Sequence, residues 1–392
     1  MYGWACVIRA GWRGSLALDV GKAFSMADGL RQDEMREFLA RSGWGAASIA
    51  PLPGDASTRR YTRLSLNGKT AMLMDQPQGA EAPVAPAGAD AETRRALGYN
   101  AVARLAGADC ARFAAASAWL RAHGLAAPEV YAADCARGFL ILEDLGDALF
   151  AEVLADGGEP KELYEAAVKV LAKMHAADPP DRLSADKPLF DYDMVAQLAE
   201  TDLLTEWFMP LALGRKATDE EVTEYRRLWR AALEGLAGRR VFVHRDYHAE
   251  NLLWLPERQG LAKVGLIDFQ DAVAGSAAYD LTSLTEDARR DVSPALAEGA
   301  TRQYLAAMTA QGTPLDEAGF RYEMAVMAAQ RNTKIVGIFA RLYSRDGKAR
   351  YLAFLPRVWG YLERDLAHPA LADLRAWYDR TIPKDKRAVE IR

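Results

Sequence analysis

Residues 241–254, VFVHRDYHAENLLW, and residues 265–281, GLIDFQDAVAGSAAYDL, form the stretch of the chain that decides the fold. Each segment carries an apolar, strand-like run, and polar side chains follow directly where the run ends. Asp246 follows the first run, Asn251 comes five positions later, and Asp268 ends the second run. The pattern predicts a strand–loop–strand–turn–strand island whose purpose is to position these loops.

The polar side chains of this island suit phosphoryl transfer. A carboxylate such as Asp246 can accept the proton of an attacking hydroxyl, and oxygen ligands from Asn251 and Asp268 can hold Mg²⁺ on nucleotide phosphates. The order His-Arg-Asp, four further residues, Asn, and later Asp-Phe is that of a kinase catalytic loop and metal-binding element. Two alternatives compete, namely a solvated polar loop and a zinc pair formed by His244 and His248, although Arg245 stands where the zinc motif needs Glu.

The rest of the chain predicts a small sheet followed by a helical region. Strand-like runs occur before residue 145, with an Asn67-Gly68 hairpin signal between two of them. They lie at 48–54, 59–66, 70–75, 129–134 and 138–144, and a helix is expected at about 110–123. From about residue 147 the apolar period changes to 3.6, which predicts mostly helix as far as Tyr378.

These changes of pattern predict the domain organisation. We expect an N-terminal extension and helix over 1–44, a nucleotide-binding N-lobe over 45–146 and a helical C-lobe over 147–392. A stretch rich in Ala, Gly and Pro near 76–108 predicts a flexible insertion that packs little. Residues 1–25 lack the continuous apolar region of a signal peptide, and we expect them to be a dispensable extension.

The two motifs resemble those of the aminoglycoside phosphotransferase-like small-molecule kinases, whose loop reads H-x-D-x-H-x-x-N and whose second element reads D-F-x-D, followed by Y-D-L. The resemblance covers about residues 45–365 and implies an α+β, bilobal protein-kinase-like fold with ATP and Mg²⁺ as cofactors. It implies Asp246 as the catalytic base and Asn251 and Asp268 as the metal ligands. Asp280 matches a buried structural aspartate of that family.

Three further segments resemble the branch of this family that contains the N-acetylmuramate and N-acetylglucosamine anomeric kinases. They are GDASTRRYTRL (54–64), GFLILEDLGD (138–147) and QRNTKIVGIFARLYSRDGKARYL (330–352). This resemblance implies phosphorylation of a sugar C1 hydroxyl in peptidoglycan recycling. The alternatives are a kinase for another small hydroxylated substrate, of the aminoglycoside, choline or homoserine class, and an inactive kinase-like nucleotide-binding protein.

Candidate nucleotide-binding residues lie on the expected N-lobe. Gly54 and Ser57 stand where such kinases place a loop over the phosphates, although an ordinary hairpin turn would look similar. Glu143 and Leu145 follow an apolar strand and resemble the hinge that meets the adenine edge through its backbone.

The usual phosphate-binding lysine of the third strand is missing, because Met74 stands about where it is expected. Arg59 or Arg60 can replace its charge, since arginine binds phosphate in a bidentate manner. Only one of two adjacent strand residues can face the nucleotide, and we prefer Arg60. The alternative is a solvated basic pair.

Candidate substrate-binding residues are His248, Glu250 and Arg331. His248 matches the second histidine of the family loop. Arg331 interrupts an apolar helical pattern, so it can either meet a substrate carboxylate or form a surface salt bridge.

Composition excludes several classes of partner. Lys and Arg total 49 against 54 Asp and Glu, and the formal charge of −5 argues against nucleic-acid and anionic-membrane binding. Three scattered cysteines are too few for a disulfide framework, and no run reaches the roughly 18 apolar residues of a membrane span. Composition thus predicts a cytoplasmic protein with no obligate protein partner evident, and the resemblance described above implies a small amino-sugar substrate.

Overall fold

A five-stranded antiparallel sheet with strand order β1-β2-β3-β5-β4 forms the N-lobe. The computed structural model describes residues 17–53, 59–77, 82–107 and 109–389. The strands of the sheet are β1 (Ser48–Pro51), β2 (Arg60–Leu66), β3 (Lys69–Asp75), β4 (Val130–Asp134) and β5 (Phe139–Glu143). The hairpin predicted from Asn67-Gly68 is confirmed, because both residues have positive φ, 51° and 75°, in the turn between β2 and β3.

Helices cover both faces of this sheet. They are α1 (Ala17–Arg41) on one face and α3 (Cys110–Ala122) on the other, while α2 (Ala91–Leu97) lies in the segment between β3 and α3. Phe38 of α1 stacks on Phe139 with ring centroids 5.6 Å apart, and Ile141 is buried in the same cluster. Leu140 and Leu142 point the other way and share a buried cluster with α3. The alternation of a strand thus buries both faces of β5, which explains its continuous apolar sequence.

The C-lobe is mostly helical. Its helices are α4 (Phe150–Ala155), α5 (Pro160–Ala176), α6 (Met194–Leu203), α7 (Met209–Leu213), α8 (Asp219–Glu234), α9 (Ala278–Thr285), α10 (Pro294–Ala310), α11 (Glu317–Asp346), α12 (Leu355–Asp365) and α13 (Ala372–Thr381). Trp229, Trp377 and Tyr225 are fully buried in its core. Among the helices of the described residues, none has both the length and the apolar character that crossing a membrane demands.

Short strands inside this helical lobe hold the loops of the sequence motifs. They are β6 (Arg182–Ser184), β7 (Lys187–Pro188), β8 (Arg240–Val243), β9 (Leu252–Trp254), β10 (Val264–Leu266) and β11 (Val273–Ser276). β8 pairs with β11 and β9 pairs with β10, both antiparallel. The expected strand–loop–strand island is therefore confirmed. β6, β7 and β11 were not predicted: β6 and β7 have only three and two residues, and β11 reads VAGS, whose Gly and Ser give no strand pattern.

Near 76–108, where we expected a loosely packed insertion, most of 82–93 is exposed, but the part from Arg94 to 107 is packed. The segment contains α2 and a π-helical turn at Asn100–Arg104, whose first four residues include the buried Ala101, Val102 and Ala103. Arg94 is itself buried, donates to the carbonyl oxygen of Val102 at 2.6 Å and pairs with Asp193 of the C-lobe at 2.5 Å. Small side chains allow close approach to the C-lobe, and the arginine satisfies backbone oxygens that would otherwise be buried unpaired.

Candidate active site

A buried carboxylate fixes the loop between β8 and β9. Asp280, in the first turn of α9, accepts hydrogen bonds from the backbone N–H groups of His244 at 2.6 Å and Arg245 at 2.9 Å. Its side chain is fully buried and also lies 3.3 Å from Nε2 of His175. These contacts agree with the structural role that the sequence suggested for Asp280.

Arg245, the residue before Asp246, contacts α6 and the π-helical turn at Asn100–Arg104. Arg245 has a φ of 75° and is buried, with its guanidinium 2.5 Å from the Glu200 carboxylate. The same guanidinium donates to the carbonyl oxygens of Arg104 at 2.9 Å and Ala103 at 3.2 Å. Because several strong contacts hold it, a non-glycine residue can keep this uncommon backbone conformation and turn Asp246 out of the strand.

The structure brings Asp246, Asn251 and Asp268 together. The Asn251 amide donates to the backbone carbonyl of Asp246 at 3.0 Å and lies 3.5 Å from the Asp268 carboxylate. Asp268 also has a positive φ, 64°, so the chain bends sharply where its side chain enters the cleft. Residues far apart in the motif therefore meet at one point, as the kinase-like spacing predicts.

Arg59, and not Arg60, faces this point, so the preference for Arg60 is wrong. The Arg59 guanidinium lies 2.7 Å from the Asp268 carboxylate and 2.5 Å from the Gln270 side-chain oxygen. Arg60 begins β2 on its exposed side. Burial raises the pKa of Asp268, but the charge of Arg59 and the Gln270 hydrogen bond outweigh it, so the pKa lies below its usual value. Asp268 is thus ionised at neutral pH.

A cleft between the lobes opens beside this point. Its cavity has a volume of about 440 Å³, within the range usual for small-molecule sites. Glu143 and Leu145 line it together with Asn251 and Asp268. Among the described residues, no group accepts a hydrogen bond from the Leu145 backbone N–H. An unpaired N–H in an apolar cleft suits the expected hinge contact with an adenine edge.

Of the other residues expected to contact the nucleotide, Gly54 and Ser57 lie outside the described residues. Met74 is buried in the N-lobe core, whereas Met72 is the β3 side chain that lines the cleft. Neither methionine carries a charge, and Lys69 is exposed at the start of β3 and does not line the cleft, so β3 presents no lysine there, as the sequence indicated.

α3 packs against the segment that follows Asp268 and holds its backbone in place. The sequence did not reveal this role. Arg112 donates to the carbonyl oxygens of Gln270 at 3.1 Å and Ala272 at 2.7 Å. Phe113 stacks on Phe269 with centroids 4.8 Å apart. The apolar pattern of the helix gave no indication that one arginine on it points inward to backbone oxygens.

The expected substrate residues lie near the catalytic loop but do not line the cleft. Nε2 of His248 lies 3.4 Å from the Asn251 amide nitrogen, and Glu250 pairs with Arg289 at 3.0 Å. Burial, only partly offset by Asp287, lowers the pKa of His248 to about 3. Arg331 is also buried and donates to the carbonyl oxygen of Glu286 at 3.0 Å. The surface salt bridge that competed for Arg331 is therefore wrong.

The donors at the meeting point suit a hard divalent cation. Asn251 offers an amide oxygen and Asp268 a carboxylate, which are the ligand types that Mg²⁺ takes in proteins. In the part of the chain that the structure describes, no cluster of three or more His, Cys, Asp or Glu side chains forms a self-sufficient metal site. Two protein ligands with nucleotide phosphates completing the shell are usual for Mg²⁺, so the residues fit this ion.

Comparisons with known proteins agree with this geometry. The model of the phosphotransferase enzyme family matches residues 48–315. An N-acetylmuramate/N-acetylglucosamine kinase of Caulobacter vibrioides is 43% identical over 364 residues, which are 91% of this chain and 98% of the relative. A kinase of the same name from Pseudomonas putida is 31% identical over 350 residues, 87% of this chain and 91% of the relative.

The fold has solved counterparts as well. The crystal structure of a choline/ethanolamine kinase family protein from Mesorhizobium loti aligns with a TM-score of 0.54 at 15% identity, covering 88% of this chain and 98% of that one. The expectation of a bilobal kinase-like fold is confirmed. Because the family model spans more than half of the chain and the relatives align over nearly all of their own length, this protein belongs to the phosphotransferase enzyme family.

Proposed function

We propose that this protein is an ATP-dependent kinase that phosphorylates the anomeric hydroxyl of N-acetylmuramate, N-acetylglucosamine or both, in peptidoglycan recycling. The observation that carries the proposal is that Asn251 and Asp268 line a cleft of about 440 Å³, while the Asn251 amide also binds the backbone carbonyl of Asp246. The names of relatives that align along most of this chain support the choice of sugar.

Asp246 is the proton acceptor in this proposal. Its position after β8 places the carboxylate at the end of a rigid strand, where Asp280 fixes the neighbouring backbone. A base held in this way can take the proton of the attacking hydroxyl without reorganising, and positioning supplies much of the catalysis in phosphoryl transfer. The side of the loop that carries His248, Glu250 and Arg331 would then bind the sugar.

The nucleotide would lie in the cleft. The backbone of Glu143 and Leu145 would meet the adenine, and the loop with Gly54 and Ser57 would cover the phosphates. Asn251 and Asp268 would hold Mg²⁺, which when bound neutralises charge on the phosphates. Arg59 supplies the fixed positive charge that the family usually places on β3.

The proposal also fixes the setting of the reaction. ATP as phosphoryl donor and a free amino sugar as acceptor favour a cytoplasmic enzyme. Nothing in the roles assigned to Asp246, Asn251, Asp268 and Arg59 requires a second protein, so we propose that the chain acts without an obligate partner.

Release of ADP with a panel of acceptors tests this function. The panel contains N-acetylmuramate, N-acetylglucosamine, choline, homoserine and an aminoglycoside, and Asp246→Asn serves as the control that removes the base. We expect ADP release with one or both amino sugars and almost none from the variant. Turnover with choline, homoserine or an aminoglycoside alone would assign another substrate. Binding of Mg-ATP without turnover on any acceptor would indicate an inactive relative.

A further inference from the structure

Arg331, on α11, is a buried cation without a counter-charge in contact. Its exposed fraction is 5%, and its guanidinium donates to the carbonyl oxygen of Glu286 at 3.0 Å. Among the described residues, no carboxylate lies within 4.0 Å of it. A buried charge costs several kcal/mol unless it is compensated, and no side chain in the described part of the chain pairs directly with Arg331, so its guanidinium is available to a ligand of opposite charge.

Two further buried groups near Arg331 have open hydrogen-bonding capacity. Asp287 is 1% exposed, and while one carboxylate oxygen accepts from the Arg289 backbone N–H at 2.9 Å, the other has no partner among the described residues. Nδ1 of His248 likewise has no hydrogen-bond partner within the described part of the chain. Arg331 binds the carbonyl of Glu286, which precedes Asp287, and Asp287 accepts from the Arg289 N–H. Arg289 in turn pairs with Glu250, two residues after His248, so these groups lie together. We call His248, Asp287, Arg289 and Arg331 the acceptor cluster.

The acceptor cluster adjoins the proton acceptor. His248 stands two residues after Asp246, and its ring lies 3.4 Å from the Asn251 amide that binds the Asp246 carbonyl. Glu143 and Leu145 line the cleft together with Asn251 and Asp268, whereas no residue of the acceptor cluster lines it. A ligand in the acceptor cluster would therefore lie outside the nucleotide cleft, beside the catalytic loop.

Of the two arginines in the cluster, Arg331 has the charge that a ligand must balance. Arg289 already pairs with Glu250 at 3.0 Å, and 31% of its side chain is exposed to solvent. Arg331 has only a backbone carbonyl as hydrogen-bond acceptor. Its remaining N–H groups offer the planar fork that binds a carboxylate through two hydrogen bonds.

We infer that the acceptor cluster is the sugar subsite and that Arg331 binds the carboxylate of N-acetylmuramate, an inference that rests on the proposed function. N-Acetylmuramate carries a lactyl carboxylate, whereas N-acetylglucosamine is neutral. Asp287 accepts a hydrogen bond from a hydroxyl that both sugars have. Arg331 thus sets the preference for the anionic sugar, while Asp287 contributes to the binding of both.

The test measures kcat/KM for both sugars with Arg331→Gln, Arg331→Lys and a control on the same helix, Arg321→Gln. Arg321 is an exposed residue paired with Glu298 at 2.8 Å. Since hydrogen bonds to charged groups contribute about 1.5–3 kcal/mol, we expect Arg331→Gln to reduce kcat/KM for N-acetylmuramate about 10- to 100-fold, mainly through KM. We expect less than about a threefold change for N-acetylglucosamine, an intermediate loss with Arg331→Lys, and no change with Arg321→Gln.

Calorimetric binding of each sugar to the full-length protein gives a second readout that needs no turnover. Equal losses for the two sugars, or unchanged preference, in a variant that melts at the wild-type temperature would overturn the role of Arg331. If Arg331→Gln weakens N-acetylmuramate binding alone while no sugar is phosphorylated, the subsite stands and the proposed function fails. If neither sugar binds or reacts with the wild-type protein, both are overturned.

Discussion

The guanidinium of Arg59 lies 2.7 Å from the carboxylate of Asp268, although the two residues belong to different lobes. Arg59 directly precedes β2, so this contact places a fixed positive charge at the cleft. The neighbouring strand β3 presents only the uncharged side chain of Met72 to the cleft. In the function proposed above, Arg59 binds the phosphates in place of the missing β3 lysine, which answers the main sequence argument for an inactive relative.

Replacement of Arg59 by Ala should weaken Mg-ATP binding, whereas replacement of Arg60 should not. Loss of a charged hydrogen bond costs about 1.5–3 kcal/mol, which predicts a rise of about 10- to 100-fold in the dissociation constant of Mg-ATP. Arg60 is exposed, so Arg60→Ala is the matched control and should change the constant by less than about twofold. Calorimetric titration with Mg-ATP measures both. Equal small effects would mean that another cation binds the phosphates.

Asp246→Asn should preserve nucleotide binding and remove most turnover. The amide keeps the shape of the side chain but cannot accept the hydroxyl proton, and general-base catalysis contributes about 10²–10⁴-fold. Single-turnover phosphoryl transfer and ATP titration on the same preparation separate the two effects. Retention of more than half of the wild-type rate would exclude Asp246 as the base.

Alanine variants of Asp268 and Asn251 should respond differently to a raised Mg²⁺ concentration. Asp268→Ala removes the charged ligand and should abolish Mg²⁺-dependent nucleotide binding. Asn251→Ala removes a neutral ligand, so raised Mg²⁺ should partly restore its activity. Titrating Mg²⁺ at fixed ATP distinguishes these patterns. Undiminished Mg-ATP affinity in Asp268→Ala would contradict the assignment.

The strands of the N-lobe and the catalytic motif could be predicted because both are local signals. Period-two runs and Asn67-Gly68 specify β2 and β3 nearly to the residue, and motif spacing brings Asn251 to Asp268. Alternation alone, however, shows only that Arg59 and Arg60 point in opposite directions. Which one faces the cleft depends on how β2 sits against the C-lobe, and that information is not in the strand's own sequence.

Packing between distant segments accounts for what the sequence did not reveal. The Ala-rich composition of 82–107 looks like a linker, but Ala101 and Ala103 are small because they approach the C-lobe closely. The acceptor cluster likewise depends on how the end of α9 meets α11. The charged run from Glu286 to Arg290, directly after an apolar helix, is the signal that could have drawn attention to Asp287.

The buried carboxyl groups of Asp365 and Glu286 should make the free energy of unfolding fall as pH rises. Burial, together with the nearby Glu286 carboxylate, raises the pKa of Asp365 well above its usual value. The folded protein therefore keeps a proton that the unfolded chain releases near pH 3.9. Between that value and the folded pKa, stability declines with rising pH, by up to about 1.4 kcal/mol per pH unit.

Asp365→Asn should flatten this decline, because the amide is neutral at every pH and can keep the contact with Asn332, now 2.9 Å. Thermal unfolding of wild type and variant across pH 5–8 provides the comparison. Asp291→Asn is the control, since Asp291 is exposed and Arg357 lowers its pKa, so that Asp291 is ionised in the folded and the unfolded chain throughout pH 5–8 and contributes no slope there. A slope that is the same in wild type and Asp365→Asn would show that Asp365 is ionised in the folded protein.

The central claim is that a sugar's anomeric hydroxyl is the acceptor. This hydroxyl is more acidic than an ordinary alcohol because the ring oxygen withdraws charge from C1, so a single carboxylate such as Asp246 suffices as base. We would incubate the enzyme with Mg-ATP and N-acetylmuramate or N-acetylglucosamine and read the phosphorus–proton coupling of the product by NMR. The account predicts coupling to the C1 proton and a product that mild acid hydrolyses. Coupling to the C6 protons, in a product stable to that acid, would contradict it.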